Sequence, residues 1–247
     1  MIDTYVIIPT YNERENLADL VAQIMALPVQ IGVIVVDDNS PDGTGAIADA
    51  LAEAYPGRVH VVHREGKLGL GTAYIAGFKK GFTLNPRRLM TMDADFSHHP
   101  RYIPAMVEAS ERYDLVIGSR YVPGGGKRNC TLPRILLSRG ANLFARTMLG
   151  LHAGDATAGF RCYRREVLET IPLDQVFSSG YSFLVEMLFL TQQAGFSVGE
   201  VPIIFENRQR GASKISRQEI VKAQYTVFRL AARRLLGAAR RRTKAHV

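Results

Sequence analysis

The chain has 247 residues, 47% apolar and 22% charged, enough for one large domain or two small ones with a substantial core and unlike a disordered segment. Cys130 and Cys162 are the only cysteines and lack metal-type spacing, which excludes a disulfide scaffold and fits unpaired thiols in a reducing compartment. Net charge is +8, but residues 1–119 carry −5 and residues 120–247 carry +13, so the second half calls for an anionic partner.

The first residues, MIDTYVIIPTYNE, have no basic leader and do not read as a signal peptide. No apolar run approaches the ~18–20 residues of a membrane span. Tyr5–Pro9 reads as a buried strand. In the turn Thr10-Tyr11-Asn12-Glu13 that follows, Thr10 and Asn12 have the chemistry of helix caps. Leu17, Leu20, Val21, Ile24 and Leu27 then recur at helical spacing. Gly32–Val36 is a second strand, closed by the turn-rich Asp37-Asp38-Asn39-Ser40-Pro41-Asp42-Gly43. Helix Thr44–Ala54, strand Val59–His63, helix Thr72–Phe82, strand Arg88–Met92, helix Arg101–Arg112 and strand Leu115–Gly118 continue the alternation. Strands separated by helices of this length predict a doubly wound α/β fold, with a mainly parallel sheet and helices on both faces.

Beyond Arg120 the rhythm changes. Pro123–Lys127 reads as a flexible loop and Pro133–Met148 as a helix. Ala153–Tyr163 reads as a loop, Phe183–Ala194 as a helix and Val198–Phe205 as a strand. Asn207–Ser216 is a polar basic loop, and a last helix runs from Arg217 towards Ala239. Val221, Tyr225, Phe228, Ala232 and Leu235 share one face of it, beside Lys222, Arg229, Arg233 and Arg240. This divides the chain into a catalytic unit, 1–216, and a basic amphipathic helix and tail, 217–247, suited to an anionic membrane surface.

The densest chemical signal is LMTMDADFSHHP, an apolar strand ending in Asp93-Ala94-Asp95. Alone, such a pair is a common surface turn. Here it lies where parallel sheets keep their ligands, beyond the carboxyl end of a strand. Glu13 after strand one and Asp38 after strand two should reach the same edge. Hard carboxylate oxygens suit Mg²⁺ or Mn²⁺ bridging to a substrate diphosphate. The Gly66-Lys67-Leu68-Gly69-Leu70-Gly71 run is not a dinucleotide fingerprint, because Tyr74 stands where glycine is needed. Nor is it a Walker loop, because Thr72-Ala73 follows Gly71. Together the carboxylates describe a nucleoside-diphosphate site.

VIIPTYNE, VVDDNSPDGT, GKLGLGTAYIAGF and MDADFSHHP, in this order, resemble the inverting family 2 glycosyltransferases of GT-A fold. DLVIGSRY, DATAGFRCYR and RQRGASKIS narrow the resemblance to polyprenol-phosphate sugar synthases, chiefly the dolichol-phosphate mannose synthases. The resemblance runs from about residue 4 to residue 220. It implies that Pro9, Tyr11, Glu13, Val36 and Asp38 frame the nucleoside, that Asp93, Ala94 and Asp95 bind the nucleotide sugar, and that Asp93 and Asp95 hold the metal. Ser97, where some relatives carry Gln, is a further candidate ligand. It implies an acceptor phosphate gripped by Arg120 and Arg139, with Asp95 and both arginines forming the catalytic set, and a donor diphosphate covered by Arg208, Ser213 and Lys214.

The implied reaction moves mannose from GDP-mannose to polyprenyl phosphate with inversion, the alternative being glucosyl or other hexosyl transfer from a UDP-sugar. An ionised phosphate nucleophile needs no strong general base, hence no catalytic His. The implied location is peripheral, on the cytoplasmic face of a membrane, with no nucleic-acid partner. Some relatives carry C-terminal membrane helices that this sequence does not show, which raises the alternative of a separate anchoring subunit. His98 and His99 read as loop-positioning groups in preference to metal ligands, Lys67 as solvated in preference to bound, Glu186 as an exposed helix-face residue or else the partner of a nearby arginine, and Asp155 either as a turn or helix-cap residue or as orienting the sugar.

Overall fold

The computed structural model describes residues 2–129, 131–180, 182–206 and 222–234. Its strands are β1 (Thr4–Thr10), β2 (Ile31–Asp37), β3 (Val59–His63), β4 (Arg88–Thr91), β5 (Leu115–Ser119), β6 (Gly126–Arg128), β7 (Arg161–Arg164), β8 (Val198–Pro202) and β9 (Ile204–Glu206). Its helices are α1 (Leu17–Met25), α2 (Thr44–Ala54), α3 (Leu70–Leu84), α4 (Ile103–Ala109), α5 (Leu132–Leu149), α6 (Arg165–Thr170), α7 (Ser182–Gln193) and α8 (222–234).

Seven strands form one sheet in the order β3-β2-β1-β4-β7-β5-β8, parallel except for β7. This is a GT-A fold. The apolar runs are continuous because both faces are covered. Period-two alternation sorts them: Tyr5, Ile7, Ile34 and Val36 pack towards α3 and α7, whereas Val6, Ile8, Val33 and Val35 pack towards α1 and α4. On the first side Tyr74, Phe78, Tyr163 and Phe183 are fully buried and meet ring to ring. Truncating such a core ring to Ala costs about 3–5 kcal/mol. Gly77 lets α3 lie directly on β1, since a Cβ there would come within 2.3 Å of Ile7 Cγ2.

Strand order reverses beside β1: β2 and β3 extend one way and β4 the other. That is the switch point at which such sheets bind ligands. The carboxyl ends of β1, β2 and β4 meet there, and the second sheet, β6 paired with β9, brings residues 204–206 to the same edge. The Glu206 N–H donates to the Ser97 carbonyl at 3.3 Å, tying that sheet to the loop after β4.

Several sequence readings are corrected. The segment read as a loop over 153–163 contains β7, inserted antiparallel between β4 and β5. Its four residues begin and end with arginine, and Arg161 hides this because its charge is wholly internal. Its guanidinium is fully buried and donates to the carbonyls of Ala156, Ala158 and Leu184 at 2.7–2.9 Å. The single strand read over 198–205 is two, divided at Pro202-Ile203 where the chain changes sheet. Thr10 and Asn12 cap no helix. The Thr10 hydroxyl donates to Asp37 at 2.9 Å, and Asn12 adopts a left-handed φ of 59°. Glu186 is not exposed: it is fully buried in α7 and accepts from the Ser178 amide at 2.9 Å and from its hydroxyl.

The last helix docks on the core through Thr226, Val227, Leu230 and Ala231, and leaves Tyr225, Phe228 and Ala232 outward. Val221, Leu235 and Arg240 lie outside the described residues. Among the described residues no helix is long and apolar enough to cross a membrane.

Candidate active site

The first two loops are built as one body. The Asn12 N–H donates to the Ser40 hydroxyl at 3.1 Å, that of Glu13 to the Thr44 hydroxyl at 3.0 Å and that of Arg14 to Asp42 at 3.2 Å. Asp37 anchors this body, accepting from Thr10 Oγ1 and from the Ser40 amide and hydroxyl. Its neighbour Asp38 turns the other way and meets Arg64, 3.0 Å apart and with both side chains under one tenth exposed. The two charged atoms approach without hydrogen-bond alignment, so each keeps capacity for another partner. Burial pushes the Asp38 carboxyl above the usual range, partly offset by Arg64.

Tyr11 is half-buried, with the Lys67 ammonium 4.7 Å over its ring, so Lys67 is stacked and not simply solvated. The Glu13 carboxylate accepts from Asn16 Nδ2 at 2.8 Å at the start of α1. Pro9 pairs in register with Val36. The Val36 side chain is wholly in the core, which leaves its main chain as the part able to line a site.

Behind β4 the two aspartates differ. The Asp93 side chain is about a quarter exposed (27%) and accepts from Tyr74 Oη at 3.2 Å, whereas Asp95 is buried and accepts from the Ser97 amide at 3.0 Å. Ala94 is buried between them. His98 supports the turn from below: it is buried, stacks on Phe160 with ring centroids 5.2 Å apart, and its Nδ1 accepts from the Asp93 amide at 3.3 Å. Burial holds the His98 imidazole below its ordinary pKa, so it is neutral and free to accept that bond. His99 accepts from the Arg101 amide and opens a short 3₁₀ turn. Both histidines therefore shape the loop.

A divalent cation fits this loop in part. Asp93 and Asp95 offer hard oxygens, and the Ser97 hydroxyl is buried with no hydrogen-bond partner among the described residues. No group of three or more His, Cys, Asp or Glu side chains able to hold a metal occurs among the described residues. The loop offers an ion two carboxylates and one hydroxyl, so any further ligands would have to come from elsewhere.

The basic side is a cavity of about 420 Å³ beyond the end of β5 and along the middle of α5. Arg120 and Arg139 both line it, as does Arg146, which the sequence reading missed. Arg139 and Arg146 are seven residues apart on α5, two turns along one face, and that spacing was a readable signal. Arg146 Nε is buried with no hydrogen-bond partner among the described residues.

Arg120 is different, because its guanidinium is already clasped by Asp155. Nε and one Nη donate to the two carboxylate oxygens at 2.7 Å each, and the same Nη donates to Thr157 at 2.8 Å. Burial alone would raise the wholly buried Asp155 carboxyl, but the hydrogen bonds and charge of Arg120 outweigh it and hold the group below the usual range. Asp155 is in turn fixed by its backbone: its amide and that of Gly154 donate to Glu200 at 3.0 and 2.6 Å. Asp155 thus orients an arginine, a role that neither sequence reading of it included. Arg208, Ser213 and Lys214 lie outside the described residues.

A carboxylate edge and a basic cavity on a GT-A sheet are the setting of a sugar-transferring enzyme. Residues 5–172 match Glycosyl transferase family 2, and the chain belongs to that family. It is 50% identical over 238 residues to the polyprenol monophosphomannose synthase of Mycolicibacterium smegmatis, covering 96% of this chain and 90% of that protein. It is 47% identical over 229 residues to the undecaprenyl-phosphate mannosyltransferase of Micrococcus luteus, covering 92% and 94%. Among solved structures, glucosyl-3-phosphoglycerate synthase from Mycobacterium tuberculosis, crystallised with Mn²⁺, UDP and glucosyl-3-phosphoglycerate, superposes with a TM-score of 0.67 at 20% identity. That match covers 93% of this chain and 80% of the other.

Proposed function

We propose that this protein transfers mannose from GDP-mannose to a polyprenyl phosphate, inverting the anomeric centre to give a β-linked lipid phosphate mannose. The observation that carries the reading is a basic cavity lined by Arg120, Arg139 and Arg146, in which Arg120 lies close enough to Asp93 to feel its charge and the buried Arg146 Nε has no hydrogen-bond partner among the described residues. The mannosyl transfer to polyprenyl carriers named for the two relatives above supports the choice of sugar and acceptor.

In this reading Asp38 and Glu13 take the hydroxyl and amine donors of the nucleoside, with Tyr11 and Pro9 beside it. Asp93 and Asp95, with Ser97, would hold Mg²⁺ or Mn²⁺. When bound, such an ion neutralises the charge of a departing diphosphate. Arg208, Ser213 and Lys214 would cover that diphosphate. Arg139 and Arg146 hold the acceptor phosphate, and Arg120, fixed by Asp155, presents a preoriented cation whose position costs little reorganisation as charge moves. The acceptor is a phosphate already ionised at neutral pH, so no side chain is needed as a strong base. Residues 1–216 form the catalytic unit and 217–247 contribute membrane attachment, peripherally and on the cytoplasmic face.

The test is to incubate the protein with polyprenyl phosphate, Mg²⁺ or Mn²⁺, and labelled GDP-mannose or UDP-glucose in parallel, then count organic-extractable label. Label from GDP-mannose alone is expected. Label from UDP-glucose alone reassigns the donor, and a covalent sugar–enzyme intermediate would overturn the single-displacement step.

A further inference from the structure

We propose that α5 and α8 together form a docking surface for an anionic lipid bilayer, with the first turns of α5 as its main anchor. This deepens the reading above, on which it rests for its purpose: it names the surface through which a lipid-borne phosphate would be met. Eight large apolar side chains are strongly exposed among the described residues, and six of them lie on these two helices: Leu132, Leu136, Leu137, Leu143, Tyr225 and Phe228. Scattered single apolar residues are normal on a surface, but a contiguous patch is not. The two helices join where Phe144 of α5 meets Phe228 of α8 edge to face with centroids 5.6 Å apart, and the exposed leucines recur along α5 from there.

The pattern belongs to interfacial helices, not to incomplete core packing. On α5 the opposite side is properly buried, by Asn142, Ala145 and Leu149. Leu132, Leu136 and Leu143, spaced by four and seven residues, fall on one outward face with Leu137 next to them. On α8, Val227, Leu230 and Ala231 hold the core while Tyr225 and Phe228 face out. Neither α5 nor residues 222–234 contains an acidic residue, and exposed Arg139, Arg229 and Arg233 flank the apolar side chains. An apolar face rimmed only by cations is complementary to an anionic headgroup layer, with leucines entering the acyl boundary. Arg139 and Leu143 belong both to this surface and to the wall of the basic cavity, so the cavity opens at the membrane plane.

The experiment is co-sedimentation of the full chain with phosphatidylcholine vesicles, with and without phosphatidylglycerol and free of polyprenyl phosphate, alongside the triple variant Leu132→Ser, Leu136→Ser, Leu137→Ser. All three positions are exposed and outside the cavity, and an unchanged thermal midpoint checks the fold. The wild type is expected to sediment with phosphatidylglycerol vesicles, less so as salt rises, and the variant to lose at least about tenfold in partitioning. Turnover of a water-soluble short-chain polyprenyl phosphate should be the same for both proteins. Equal vesicle binding by wild type and variant would overturn the proposal. So would a wild type that ignores vesicles but forms a dimer that the variant dissociates, which would assign the face to a second copy. Vesicle binding with no turnover of any lipid phosphate would instead sink the proposed activity and leave this surface standing.

Discussion

The two halves of the molecule solve opposite problems. In residues 1–119 the chain is net acidic and its carboxylates at the sheet edge are already held: Asp37 by three hydrogen bonds, Asp38 by Arg64, Asp93 by Tyr74, Asp95 by the Ser97 amide. In residues 120–247 the chain is net basic, and only Arg120 of the three cavity arginines is held in this way. In the proposed reading, carboxylates that present a nucleotide would gain from being fixed beforehand, and cations that admit a bulky lipid phosphate would keep unmet hydrogen-bonding capacity until it arrives. Of the eight strongly exposed large apolar side chains among the described residues, six lie in the second half.

The largest expected effect comes from removing the Asp155 clasp on Arg120. Asp155→Ala leaves Arg120 uncompensated in a buried site and is expected to destabilise the fold by about 3–5 kcal/mol, read as a lowered denaturation midpoint. The pH dependence has a definite sign. The folded Asp155 carboxyl lies below its unfolded value, so its contribution is complete above about pH 4 and is lost as pH falls through the folded value. Asp155→Asn should therefore flatten the acid side of the stability profile, and an unchanged acid limb would count against the clasp.

Next is Asp95→Asn, expected to lower kcat by about 10²–10³-fold, as for loss of one preorganised electrostatic group, while the thermal midpoint stays near the wild type. Full activity with Mg²⁺ would remove Asp95 from the metal-binding role. Lys67→Gln should have the smallest effect, raising the donor KM by only a few-fold, in keeping with about 0.5–1 kcal/mol for an exposed cation over a ring.

Much of this was legible in the sequence. The alternating half was read to within a residue or two at most element ends, because buried parallel strands are continuous apolar runs and their ligand edge follows from topology. What escaped was set by long-range pairing. β7 is short and charged at both ends, and only its buried carbonyl partners make Arg161 a strand residue. Arg64 was overlooked because nothing local links it to Asp38, 26 positions earlier. Asp155 could be read as a turn or a sugar contact, whereas its function is set by an arginine 35 positions away. Glu186 looked like a surface residue because its partner, Ser178, lies in a loop with no periodic signal.

The division of labour between the halves is tested most directly by steady-state kinetics of Arg139→Ala and Arg146→Ala with both substrates varied. Each variant should raise the KM for polyprenyl phosphate about 10–100-fold, the loss of a charge-assisted hydrogen bond of about 1.5–3 kcal/mol, and leave the KM for GDP-mannose unchanged. A raised GDP-mannose KM with normal acceptor KM would contradict the account and move the donor phosphates into the basic cavity.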